Sequence, residues 1–150
     1  GGVAAGLALY ARDRGGPAIA RQILIYPMLD DRNTRPDARL APFMTWSYDD
    51  NLTGWGALLG DAVGGADVSP YAAAARVVDA TGLPPTYIDV GELDIFRDED
   101  IEYARRLSAA GVSVELHVHP GVPHGWEVFA PDIAVTRRAF ADRHRVLTSL

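Results

Sequence analysis

Alternation is the feature that most constrains this chain. Three short apolar segments, Ile23-Leu24-Ile25-Tyr26, Thr86-Tyr87-Ile88-Asp89-Val90 and Val114-Glu115-Leu116-His117-Val118-His119, are separated by stretches with helical spacing. Strands that alternate with helices build a parallel sheet in an α/β fold. The first segment is apolar throughout, as expected of a strand covered on both faces. The third alternates apolar and polar residues. Helices are expected over 3–12, stopped by Gly15-Gly16-Pro17, and over 45–59, where Trp46, Tyr48 and Trp55 form an aromatic face. Two more are expected over 98–110, capped by Gly111, and over 133–147. Residues 28–42 and 60–75 are rich in turn formers and read as loop and irregular structure. Three strands make a small sheet, and the first helix has no preceding strand to lie against. The order matches the second half of a doubly wound fold.

Composition narrows the function classes. With 48% hydrophobic and 23% charged residues in 150, the chain has ordinary globular make-up and one domain's worth of core. Its formal net charge of −6 argues against nucleic acid or an anionic membrane as the main partner. No apolar run approaches the roughly 20 residues of a membrane span. Cysteine is absent, which removes disulfides, thiol nucleophiles and thiolate metal sites. All 14 basic residues are Arg, a mark of genome composition rather than of function. The chain opens at Gly1-Gly2-Val3 without Met or a secretory leader, and the expected compartment is the cytoplasm.

In an open α/β sheet, functional groups collect beyond the carboxyl ends of the strands. Asp94 follows the second strand and His124 the third. These strands are joined by one helical crossover and are expected to be neighbours. An Asp and a His on adjacent strand ends can form the orienting acid and general base of a nucleophilic triad. The five serines, Ser47, Ser69, Ser108, Ser113 and Ser149, all lie outside a G-x-S-x-G elbow. Either the nucleophile lies elsewhere or the chain is not a hydrolase.

The motifs resemble those of the hormone-sensitive-lipase-like esterases, a family of α/β-hydrolases, over essentially the whole chain and in the same order. Gly1-Gly2-Val3-Ala4-Ala5 resembles the helix start behind the family's G-D-S-A-G-G serine elbow. Ile25-Tyr26-Pro27 resembles its strand ending in Tyr-Pro, and Ser69-Pro70 and Leu83-Pro84-Pro85 resemble its punctuation. Gly91-Glu92-Leu93-Asp94 with Arg97-Asp98-Glu99 is similar to its acid motif, with Ile95-Phe96 in place of Pro-Leu. Pro123-His124-Gly125 is similar to its His motif, with Trp126 in place of the commoner Phe. The resemblance implies that residues 1–150 are the C-terminal part of a single α/β-hydrolase domain. The serine elbow, the oxyanion loop and an N-terminal cap would then lie upstream of Gly1. It implies Asp94 as catalytic acid and His124 as catalytic base of a serine carboxylesterase or lipase, no cofactor, and a small-molecule ester substrate. The segment alone is expected to be inactive.

Blander readings stand beside these. Asp98 and Glu99 are expected to complement the helix macrodipole and to hold the Asp94 loop. His117 and His119 point to one side of a strand, but no third ligand stands at a suitable spacing, so no metal is expected. His144 and the arginines 137–145 read as a solvated helix face. Trp46, Tyr48 and Trp55 are candidates for lining a substrate pocket, with plain packing as the competing role. Two other functions remain open: a non-catalytic interaction module, or a peptidase or dienelactone hydrolase of the same fold. The unpaired side of the first strand predicts association into a homo-oligomer or with an upstream half.

Overall fold

β2 (Thr86–Gly91) is buried along its whole length because it is the central strand of a three-stranded parallel sheet ordered β1-β2-β3. The computed structural model describes residues 1–149. β1 (Gln22–Ile25) pairs Gln22 with Thr86, and β3 (Val114–His119) pairs Val114 with Thr86. Their carboxyl ends therefore finish side by side.

Side-chain alternation decides the layers. On one face, Leu24 and Ile88 meet Ala5, Ala8 and Leu9 of α1 (Gly2–Asp13) and Tyr103, Ala104 and Leu107 of α3 (Arg97–Ala109), forming the main core. On the other face, Tyr87 and Asp89 lie under α5 (Ala134–Thr148), and Val122, Trp126 and Ala139 make a smaller cluster with the short helix α4 (Trp126–Phe129). Between β1 and β2, α2 (Tyr48–Leu59) and two 3₁₀ turns, Gly60–Ala62 and Ala74–Arg76, form an irregular insert.

Local chemistry shifts several expected boundaries. α2 begins at Tyr48 because Ser47 is its N-cap: its hydroxyl accepts from Asp50 N at 3.1 Å while the Asp50 carboxylate accepts from Ser47 N at 2.9 Å. β1 ends at Ile25, and Tyr26, expected in the strand, has a left-handed φ of 33°. Within β1, Gln22 and Leu24 are buried, whereas Ile23 and Ile25 are half-buried because the strand lies at the edge of the sheet. The expected solvated face on residues 137–145 is corrected at Arg143. Its side chain is 8% exposed because it reaches inward to the buried Asp89. His144 is exposed, as expected.

Candidate active site

Asp94 sits in the turn after β2 and is 1% exposed. Its Oδ1 accepts from Phe96 N at 3.0 Å, which fixes the carboxylate plane. Its Oδ2 accepts from Nδ1 of His124 at 2.9 Å. His124 belongs to the turn after β3, and the two turns are tied together. Glu92 N donates to His119 O at 2.8 Å, Leu93 N to Val122 O at 3.0 Å, and Gly121 N to the Glu92 carboxylate at 2.8 Å. Gly91 permits this approach, since a Cβ there would lie 2.2 Å from Val122 O. From the insert, the Thr45 hydroxyl donates to the His124 carbonyl.

With Nδ1 occupied, Nε2 of His124 is the nitrogen left for proton transfer. The imidazole is walled by aromatic rings: Tyr26 at 4.3 Å, Phe96 at 5.4 Å and Trp46 at 5.8 Å between centroids. It opens on a cavity of about 230 Å³ lined by Gly1, Gly2, Ile25, Tyr26, Met28, Trp46, Phe96 and His124. The first turn of α1 forms one wall. A Cβ at Gly2 would lie 2.1 Å from Met28 O, so only glycine lets the helix start come this close.

The three aromatic candidates separate. Trp46 lines the His124 cavity. Tyr48 is buried with Leu40, Ile95 and Phe96, and its hydroxyl oxygen accepts from Asp37 N at 3.3 Å. Trp55 is 1% exposed and packs with Val68 and Ala73 in a separate cluster. Asp98 is exposed and paired with Arg97 at 2.7 Å. Glu99 turns inward instead of toward solvent, accepting from Leu29 N at 2.6 Å, Asp30 N at 3.1 Å and Asn33 Nδ2 at 2.8 Å. Asn33 also donates to Ile95 O at 2.9 Å, so Glu99 and Asn33 clasp the Asp94 turn to the loop after β1. Burial pushes the Glu99 carboxyl up to about 8 despite these donors.

Several functional-looking groups escaped the sequence reading. Asp100 is fully buried, and burial with the nearby Glu99, Asp94 and Asp89 carries its carboxyl well above the usual range. Asp89 is also fully buried. Burial opposes its ionisation, yet the neighbouring His119 and the Arg143 fork hold it below the ordinary carboxylate range. One signal was available: a charged residue inside the apolar run 86–90 requires a partner.

His117 and His119 do share a face, their rings stacked at 5.9 Å, but their surroundings differ. His119 is buried near Asp89, at 3.9 Å. His117 meets Glu115 and Asp142, whose ligand atoms lie within 4.8 Å of one another, a third and fourth group that spacing did not reveal. Arg145 already pairs with both acids, so the cluster is an ion-pair network whose carboxylates are engaged by a guanidinium. A larger surface cleft of about 650 Å³ holds Arg32, Arg76, Arg105 and Arg106. Each guanidinium is paired, with Asp30, Asp31 or Glu102. The cleft thus presents no unpaired cationic site.

A parallel sheet carrying a buried Asp bonded to a His at neighbouring carboxyl ends is an arrangement in which an acid can orient an imidazole for proton transfer. Residues 1–128 match the model of a family described by the alpha/beta hydrolase fold, and the chain belongs to that family. It is 36% identical over 143 residues to the carboxylesterase NlhH of Mycobacterium tuberculosis, covering 87% of this chain and 41% of that protein. Esterase LipI of the same organism is 37% identical over 136 residues, with 87% and 41% covered. Among solved structures, a bacterial heroin esterase superposes with a TM-score of 0.82 at 44% identity, covering 92% of this chain and 44% of that one. Esterase LipW from Mycobacterium marinum gives 0.82 at 36% identity, covering 97% and 45%. The chain spans less than half the length of these relatives. Among the described residues, no helix is long and apolar enough to cross a membrane.

Proposed function

We propose that this chain supplies the acid and base of a serine carboxylesterase or lipase acting on small-molecule esters, with Asp94 as orienting acid and His124 as general base. The observation that carries the reading is the 2.9 Å bond from His124 Nδ1 to a buried Asp94, beside a cavity walled by the first turn of α1. In this reading the nucleophile is a serine preceding that turn, which the resemblance of Gly1-Gly2 to the residues behind a serine elbow supports. Its hydroxyl would lose its proton to His124 Nε2 as the oxygen bonds to the ester carbonyl carbon. The imidazolium, stabilised by Asp94, would then protonate the departing alkoxide. Water, deprotonated by the same nitrogen, would cleave the acyl-enzyme. Carboxylesterase names among the relatives support ester chemistry over a peptidase or dienelactone hydrolase.

The same reading assigns the outer edge of β1 and the exposed stripe Val3, Leu7 and Tyr10 on α1 to the rest of the hydrolase domain or to another copy. Short-chain p-nitrophenyl esters test the division of labour. The 150-residue chain alone gives no turnover that depends on His124. Joined to a segment carrying the serine elbow, it hydrolyses the ester, and Asp94→Asn lowers kcat by about 10⁴. Turnover by the chain alone that His124→Ala abolishes would sink the proposal, as would activity of the joined protein that survives the same substitution.

A further inference from the structure

Four residues from four segments close a hydrogen-bonded ring directly behind His124. The Tyr26 hydroxyl donates to Glu127 Oε1 at 3.1 Å, and Arg143 Nη1 donates to the same oxygen at 2.7 Å. The other edge of the guanidinium forks onto both Asp89 oxygens, Nε at 2.7 Å and Nη2 at 3.0 Å. The Asp89 carbonyl accepts from Tyr26 N at 2.6 Å, completing the circuit. Arg143 also lies over the Tyr26 ring, 5.8 Å from its centroid. The ring joins the residue just after β1, the middle of β2, α4 and α5.

Tyr26 needs this support. At a φ of 33° it occupies the left-handed region, which a bulky side chain keeps only when its surroundings hold it there. The gain is placement: the phenol ring stands at 61° to the His124 imidazole with centroids 4.3 Å apart. The single bond from Nδ1 to Asp94 leaves the imidazole able to rock about that contact. The Tyr26 ring blocks the motion from one side.

We infer that Tyr26, held by Glu127 and Arg143, is a positioning residue for His124, setting the angle of the imidazole at the mouth of its cavity. The catalytic consequence rests on the general-base reading of His124, whereas the structural consequence does not. In the 150-residue chain, nitrogen-15 histidine NMR follows the His124 Nδ1 proton and its exchange with water. Tyr26→Phe keeps the ring and removes the tether, and exchange accelerates by about fivefold, the scale of one net hydrogen bond. Glu127→Gln, which keeps an acceptor oxygen, gives a smaller acceleration in the same direction. Phe140→Ala removes a side chain that packs on Arg143 outside the ring and leaves His124 exchange unchanged. Exchange in Tyr26→Phe equal to that of the parent chain overturns the inference. In the joined esterase, Tyr26→Phe lowers kcat by about fivefold with KM unchanged. A raised KM with kcat unchanged would make Tyr26 a substrate contact and also overturn it. If no hydrolysis depends on His124, the general-base reading fails while the exchange result still decides the positioning role.

Discussion

Replacing Gly91 with Ala tests whether Asp94 and His124 are held together by one close backbone contact. The added methyl carbon would lie 2.2 Å from Val122 O and 2.9 Å from Pro123 O, both rigid main-chain atoms. Ordinary contact requires about 1 Å more than the shorter of these distances. The loop cannot retreat without cost. Val122 is 5% exposed and packed with Trp126 and Ala139, and its carbonyl accepts the 3.0 Å bond from Leu93 N. Losing that bond costs about 1 kcal/mol, and overpacking a well-filled site costs about 1–3 kcal/mol more. At roughly 2–4 °C per kcal/mol for a domain of this size, Tm falls by about 4–16 °C. A shift of about 1 Å also carries the 2.9 Å Asp94–His124 pair out of hydrogen-bond range, so the protected Nδ1 proton is lost. Thermal unfolding by circular dichroism and histidine NMR read the two effects. Gly56→Ala is the control, for a Cβ there meets nothing within 4 Å and the position is helical, so Tm holds or rises. A Gly91→Ala chain with unchanged Tm and an intact Nδ1 proton would refute the reasoning.

Three further outcomes are expected. Arg143→Met leaves the buried Asp89 and Glu127 without their cation and costs about 3–5 kcal/mol in urea unfolding, whereas adding Asp89→Asn recovers part of the loss. Glu99 holds its proton in the folded chain to about pH 8 against an ordinary 4.5, so the folded state binds more protons across that window. Stability therefore falls as pH rises through it, and Glu99→Gln flattens the urea midpoint between about pH 5 and 8. Because Arg145 already engages both Glu115 and Asp142, about 1 mM zinc leaves Tm unchanged, and a rise of several degrees would show that the cluster with His117 binds metal.

The strand alternation and the two loop motifs were legible because they are local. Period and punctuation sufficed to place Asp94 and His124 on neighbouring strand ends. Boundaries moved where side-chain chemistry competes with periodicity, as at Ser47, whose capping box overrides the apolar spacing before it. Burial of charge was not legible. Arg143 lies 54 residues from Asp89, and nothing in the helix pattern around it distinguishes a solvated arginine from one that reaches the sheet. The same holds for Glu99, whose donors come from a loop about 70 residues earlier. Of the aromatic trio, Trp46 reaches the cavity because it precedes the α2 cap, while Trp55 sits within the helix and turns into a separate core.

The hydrogen-bonded pair lies within a single crossover, since β2, α3 and β3 with their two turns contain both Asp94 and His124. Three side chains of the cavity beside it, Tyr26, Met28 and Trp46, come from the segment between β1 and β2. Apart from Phe96, which shares the turn of Asp94, the pair and the other side chains of its cavity are thus written in separate stretches of the gene. Changes that reshape the cavity wall can accumulate in one stretch while the hydrogen-bonded pair in the other stays untouched.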